Sequence, residues 1–422
     1  VIVHDPLYGR FELPGVSRAL LQSPEFRRLS EVRLLNTISP SLATLGEIKR
    51  YSHTLGVVYL ANQWISAHRR NFSEPELRAL EAATILHDVG TPPFGHLFEY
   101  ILREASGWHH EAVVNKILRG QHAPENTAHQ FFAGRTPQVY GMLRECNVEL
   151  PLLTSILDGA HPLSRLLFGS IDFDNLDNVA RMAWALGIAG GAEMAKALTS
   201  SVSVAGEGAL LLPQAMRERV RQWLGLRRSV YEILVHDWPT LAAQATLTRA
   251  MLVAIGSGAL GPNSWSMTDD ELLTTLRQFR ESKDLVNNEY LGVLPTGVLC
   301  VQLSQTVDAL PGKTSVEIIA RIEMAASEAG IARPLGFVLR DKGMIEKKLI
   351  FLGEDGESWS EGATSTGTFL YVFSRAHGKK GYRAPGKLLT ELSRTVGFDE
   401  GRIIRVIENS GSGTAEAQGR LV

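Results

Sequence analysis

Residues 73–96 read SEPELRALEAATILHDVGTPPFGH, and no other stretch constrains the fold as strongly. Ser73 followed three positions later by Glu76 is a capping box, which starts a helix. Leu77, Leu80 and Thr84 then fall on one helical face. The apolar run ends at His87-Asp88, and a Gly-Pro-rich turn leads to His96. A helix of this kind needs partners to cover its apolar face. An imidazole beside a carboxylate where that helix ends serves chemistry better than packing, provided other segments converge there.

The remaining chain offers such segments. VIVHD, a turn at Pro6–Gly9 and RFEL read as a small hairpin. Ser23-Pro24 opens a helix, with Pro24 suited to the first turn. His53–His68 reads as a helix with apolar Leu55, Val58, Tyr59, Ala61 and Ile65. Further helices are predicted from Asp174 to Leu186 and over 213–253, broken near Pro239. IGSGALGPNSWS at 255–266 reads as a linker or loop. After residue 298 come strand-like runs, GVLCVQLS, PLGFVLR, KLIFLGE and TFLYVFSR, with helices at 314–329 and 384–396 between them. The expected fold is mainly α: a helical bundle over 1–255, then a smaller α+β region over 256–422.

Charge and cysteine usage narrow the function classes. A net charge of −2 supplies no global field for nucleic acid or a membrane surface. No apolar run is long enough to span a bilayer, and VIVHDPLYGRFEL lacks the pattern of a signal peptide. Cys146 and Cys300 form no CxxC and point to a reducing, cytoplasmic setting.

Four places carry the right atoms for a reactive centre: Arg50–His53, His87-Asp88, Trp108–Glu111 and Asp172–Asp177. Imidazoles with carboxylates suit a divalent ion such as Mn, Fe, Ni, Zn, Co or Mg. Each element also has a plain structural role. Asp172 and Asp174 precede a helix and suit its N-terminus. Asp177 and Arg181, at i and i+4, read as a surface ion pair. His109-His110 fits a solvated turn. A second His-Asp pair, His236-Asp237, has no glycine-rich turn after it and reads as structural.

Taken in order, RYSHTLG at 50–56, HDVG at 87–90 and Asp172-Phe173-Asp174 resemble the H…HD…D signature of the HD-domain phosphohydrolases. Within that superfamily the chain looks nearest to the dNTP triphosphohydrolases of the SAM-and-HD-domain and bacterial dGTPase types. Asp5-Pro6-Leu7-Tyr8-Gly9, SPEFRRL at 23–29, TPPFGHLFE and WHHE extend the resemblance over roughly residues 1–250. It implies an HD-domain helical bundle with one divalent metal ion held by His53, His87, Asp88 and Asp174. It implies proton-handling roles for His96 with Glu99 and for His110 with Glu111. It implies phosphate contacts from Arg50 and from Arg227, or Arg228 one register on. Asn178 stands on the substrate side, where the family has a tyrosine. Other departures are Thr91 for a histidine, Asn175 for a lysine, Met182 for an aspartate and Leu34 for a glutamine. The metal set is complete while the deoxyribose-reading set is not.

The expectation is a metal-dependent hydrolase of nucleotides that releases nucleoside and tripolyphosphate, and that is a homo-oligomer. Two alternatives stay open. One is a phosphodiesterase or nuclease on single-stranded or cyclic nucleotides. The other is a non-catalytic nucleotide sensor. Lys379-Lys380-Gly381-Tyr382-Arg383 reads as a solvated basic turn, able to touch phosphate or nucleic acid.

Overall fold

The capping box at Ser73 forms as its spacing requires: the Glu76 carboxylate accepts the Ser73 N–H at 2.8 Å, and Ser73 accepts the Glu76 N–H. The helix it starts, Glu74–Leu86, is one of a set that includes Arg50–His68, His96–Ser106, His110–Leu118, Phe173–Ala185, Gly191–Ser201, Arg217–His236 and Trp238–Gly256. The computed structural model describes residues 1–121, 138–169, 171–205, 208–353, 355–376 and 384–409. The basic turn at Lys379–Arg383 lies outside them.

The Arg50–His68 helix is central, packed against the Glu74–Leu86, Phe173–Ala185 and Gly191–Ser201 helices. Its Trp64 is fully buried and donates its indole N–H to the Val202 carbonyl at 2.8 Å. Gly56 lies within this helix, where a β-carbon would overlap the Asp177 carboxylate. A mid-helix glycine costs about 1 kcal/mol relative to alanine; here it permits the close approach that brings the Phe173 helix to His53. The break near Pro239 is a clean restart. Asp237 accepts the Thr240 N–H at 3.0 Å, and Pro239 occupies the first turn of the next helix. His236-Asp237 is therefore structural, as its sequence context indicates.

Strands β1 (Ile2–Asp5) and β2 (Gly9–Glu12) form the N-terminal hairpin. Two more, β3 (Ser203–Val204) and β4 (Leu210–Leu211), leave the helical body. The C-terminal part adds β5 (Thr296–Leu303), β6 (Pro334–Lys342), β7 (Leu349–Leu352), β8 (Ser358–Glu361), β9 (Thr366–Ser374) and β10 (Ile403–Glu408). One sheet runs β10-β5-β9-β6, all antiparallel. Its side chains alternate as a sheet covered on both sides demands. Phe369, Tyr371 and Phe373 join the large core shared with the helices, while Leu370 and Val372 face a second core under the Ser315–Glu328 and Pro385–Leu392 helices. The other sheet, β3-β4-β7-β8, joins body to C-terminal region by pairing Leu211 in parallel with Leu352.

The Gly-Ser-rich stretch at 255–266 is a packed loop rather than a free linker. Leu260, Ser264 and Ser266 are buried, and the Trp265 and Met267 carbonyls accept hydrogen bonds from the fully buried Arg28 at 3.3 and 2.9 Å. Leu272, Leu276 and Tyr290 belong to the same core as Leu55 and Val58, so that core passes residue 255 without a break. The expected strand runs leave out β8, whose SWSE carries too few apolar residues for a period-2 pattern, and β10, whose IIRVIE does have strand composition. Among the described residues no helix is long and apolar enough to cross a membrane.

Candidate metal centre and its surroundings

Three elements converge where the Glu74 helix ends. His53 lies one turn into the Arg50–His68 helix, and its ring is buried. Its Nε2 is 2.9 Å from Asp174 Oδ1 and its Nδ1 is 2.7 Å from Asp177 Oδ2. His87 Nδ1 donates to the Thr84 carbonyl at 2.8 Å, which leaves Nε2 as the lone-pair nitrogen. That Nε2 is buried without a hydrogen-bond partner. It points to Asp88 Oδ2 at 3.7 Å and Asp174 Oδ1 at 3.9 Å. The ligand atoms of His53, His87 and Asp88 all lie within 4.8 Å of one another. Ligands held at about 2.0–2.2 Å from one ion stand roughly 3–4 Å apart, so this donor set fits a divalent cation. An orphaned buried imidazole nitrogen has no other account here.

Electrostatics match that fit. Burial pushes the Asp88 carboxyl up, yet Arg50, bonded to it at 2.9 Å, helps hold it well below the usual carboxylate range. Burial likewise opposes charge on His53, but its hydrogen bonds to Asp174 and Asp177 prevail and raise it to about 9. A proton there occupies the place a cation would take.

Asp177 corrects the sequence reading. It is fully buried, not on the surface, and its partner Arg181 is buried with it. Arg181 donates to both Asp177 oxygens at 2.9 and 2.8 Å and to Asp5 at 3.0 Å. A carboxylate on the far nitrogen of a metal-binding histidine fixes its tautomer and raises its basicity. Asp177→Asn is therefore expected to lower metal affinity ~10–100-fold, read by competition with a chelator. Unchanged affinity would leave Asp177 only a packing role.

Asp172 keeps the role its position suggests, accepting the Asn175 N–H at 2.6 Å as helix cap. Asp174, two residues on, turns to the histidines instead.

A second cluster adjoins the first. The Phe94-Gly95 turn, with φ of 54° at both residues, throws the chain into the His96–Ser106 helix. Left-handed backbone at a phenylalanine is costly, and Asp269 holds the turn by accepting the Phe94 N–H at 2.8 Å. Glu99, nearly buried, accepts from His96 Nδ1, His110 Nδ1 and Arg103 Nη2, each at 2.8 Å. Burial pushes Glu99 up, but the bonds from His110 and His96 outweigh it and hold the carboxyl far below its ordinary range. Burial lowers His110, and Glu99 more than reverses that. Glu99, not Glu111, is thus the partner of His110. Glu111 is 3.6 Å away and exposed, as is His109, whereas His110 is not on a solvated turn. A cleft of about 450 Å³ opens here, with His87, His110, Glu111, Asn115 and Asp158 in its walls.

The other predicted contacts separate. Arg50 is buried against Asp88 rather than free for a phosphate, and Gly95 leaves room for its guanidinium. Arg227 is buried, donating to Asn175 Oδ1 at 2.9 Å and the Gly343 carbonyl at 2.7 Å. Arg228 is half exposed and paired with Glu346. Asn178 is half-buried one turn beyond Asp174. Thr91 donates to Asp88 Oδ1 at 2.9 Å, fixing the carboxylate that Arg50 grips from the other side.

Two histidines and two aspartates thus converge at one helix end of a mainly helical body. Residues 50–135 match the HD domain family, and the chain is similar to HD-domain dNTP triphosphohydrolases over part of its length. It is 24% identical over 205 residues to the deoxynucleoside triphosphate triphosphohydrolase SAMHD1 homolog of Dictyostelium discoideum, covering 44% of this chain and 36% of that protein. The match thus spans about a third of that relative's length. In fold the chain resembles a phosphohydrolase from Bacteroides thetaiotaomicron, with TM-score 0.61, 18% identity, and 89% of this chain and 100% of that one covered. It also resembles a hypothetical protein from Aquifex aeolicus, with TM-score 0.65, 16% identity, and 93% and 99% covered.

Proposed function

We propose that this chain is a metal-dependent phosphohydrolase of nucleotides, of the (d)NTP triphosphohydrolase kind, releasing nucleoside and tripolyphosphate. The observation that carries the reading is the unpartnered, buried His87 Nε2 facing Asp88, Asp174 and His53. His53, His87, Asp88 and Asp174 are the proposed ligands. A divalent ion held by them would polarise a phosphoryl oxygen and make a water more acidic. His96 and His110, both oriented by Glu99, are placed to move protons. One takes a proton from the attacking water as the bond to phosphorus forms. The other gives one to the departing nucleoside oxygen as its bond to phosphorus breaks. Arg227 lies on the phosphate side and Asn178 on the nucleoside side. Residues 1–255 form the catalytic unit in this reading, and 256–422 support and close it. The protein would act in the cytoplasm, which suits two unpaired cysteines, as a homo-oligomer.

The test is turnover of a panel of NTPs, dNTPs and monophosphates with Mn²⁺, Mg²⁺, Fe²⁺ or Co²⁺. Turnover should appear with a triphosphate and vanish in the His87→Ala, Asp88→Ala double variant. Turnover that survives the double variant would refute the reading. Buried Met182 and half-buried Leu34 offer a sugar hydroxyl no hydrogen bond, and they favour a second reading, a phosphodiesterase on single-stranded or cyclic nucleotides. Cleavage of a labelled oligonucleotide with no triphosphate turnover would select it. Ligand-induced stabilisation without any turnover would mark a sensor.

A further inference from the structure

The segment between β6 and β7, residues 343–348, belongs to the C-terminal part, yet it touches residues that flank the metal centre, Arg227 and Asp172 among them. At one end, Lys342 Nζ sits 5.4 Å from the ring centroid of Tyr100, whose ring is 6.4 Å from that of His96. In the middle, the Gly343 carbonyl accepts from Arg227, and Glu346 pairs with Arg228. At the other end, Lys347 reaches Asp172, two residues from Asp174. The pairing of β7 with β4 fixes this end to the helical body. The segment is a wall tied down along its length.

Lys347 is the informative residue. Its side chain is only 26% exposed. An ammonium has three N–H groups to place, and charge-assisted bonds run about 2.7–2.9 Å. Lys347 Nζ has the Gly169 carbonyl at 3.4 Å and Asp172 Oδ2 at 3.9 Å. Both are too long, and Asp172 already spends its other oxygen on the helix cap. Beside it, Arg227 has a buried Nε with no partner. Two cations with unspent donors, side by side at the edge of a metal centre, call for a multiply charged anion with several oxygens.

We propose that Lys347, delivered by the C-terminal region, binds the phosphate chain of the substrate, and that Lys342 marks the far end of the same wall. The inference rests on the hydrolase reading for its substrate class: a polyphosphate chain, not a lone phosphate, has the length to lie along this segment.

The probe is inorganic tripolyphosphate, its affinity for the full chain measured by calorimetry with and without Mn²⁺. Lys347→Met, which keeps the aliphatic stem, should weaken binding ~10–100-fold, the loss expected for charged hydrogen bonds, and weaken inorganic monophosphate less. Lys347→Arg should restore most of it, and Lys348→Ala, an exposed neighbour, should change nothing. With a nucleotide triphosphate, KM should rise more than kcat falls. Unchanged tripolyphosphate affinity and KM in Lys347→Met would overturn the inference and leave Lys347 a structural ion pair. The two readings fail separately. Tripolyphosphate binding lost in Lys347→Met, with no turnover by the parent protein, removes the hydrolase and keeps this subsite. Metal-dependent turnover with Lys347→Met indistinguishable from the parent does the reverse.

Discussion

Asp174→Asn should abolish metal-dependent turnover, a loss on the order of 10³-fold or more. Lewis-acid stabilisation is worth several kcal/mol of transition-state energy, and each ~1.4 kcal/mol is tenfold. Asp174 Oδ1 lies 2.9 Å from one imidazole nitrogen and 3.9 Å from the other, so it is the atom that joins the two histidines into one site. An amide oxygen carries no charge to offset a cation. The fold should tolerate the change. Asp174 is half-exposed, in the first turn of its helix, where a carboxylate gains only about 0.3–1 kcal/mol from the dipole. Asp172→Asn is the contrasting variant: asparagine caps a helix as well as aspartate does, so turnover should stay within about tenfold. Steady-state kinetics at saturating Mn²⁺ would decide. Asp174→Asn with turnover near that of the parent would mean that this carboxylate is not a ligand.

The second large effect is expected for Glu99→Gln, ~10²- to 10⁴-fold in kcat, the range for losing general acid–base catalysis. Glu99 accepts from three donors at once. A glutamine offers one oxygen and an NH₂ group that opposes the donors, so at least one histidine loses its orientation. The pH profile separates this from simple destabilisation. Glu99 raises His110 against the pull of burial, and without the carboxylate His110 gives up its proton at lower pH. The limb controlled by His110 should move towards lower pH in Glu99→Gln at fixed metal concentration. A uniform drop with both limbs unmoved would show that Glu99 supports the fold only. Glu111→Gln should cost little by comparison, because Glu111 is exposed and makes no hydrogen bond to His110 at its 3.6 Å distance.

Local signals carried the helices and the order of the metal residues. The Ser73 capping box, the apolar face ending at His87, and the resemblance of the H…HD…D residues placed His53, His87, Asp88 and Asp174 in one set, and the structure brings them together. The errors have a common physical source: local patterns do not encode burial. An Asp-Arg pair at i, i+4 has the same sequence signature on a surface and in a core, so Asp177-Arg181 looked superficial. The better signal was Gly56, a mid-helix glycine one turn from His53, which makes sense only if something packs closely there. The resemblance pairs His110 with Glu111, whereas in the structure the hydrogen bond of His110 Nδ1 goes to Glu99. The true partner, Glu99, is eleven residues back. Lys347 carries no local signal at all; its place follows from the pairing of β7 with β4. Arg28 and Asp269 likewise act at long range, Arg28 across 61 and 63 residues on the carbonyls of Val89 and Thr91, and Asp269 across 175 on the Phe94 turn.

The central claim is that His53, His87, Asp88 and Asp174 hold one divalent cation. Diffraction at the manganese edge from crystals grown with Mn²⁺ tests it most directly. The account predicts a single strong anomalous peak about 2.0–2.3 Å from His53 Nε2, His87 Nε2 and an oxygen of each aspartate, absent from crystals of the His87→Ala, Asp88→Ala variant. A peak elsewhere, or none at this centre with the four side chains still in contact, would contradict it.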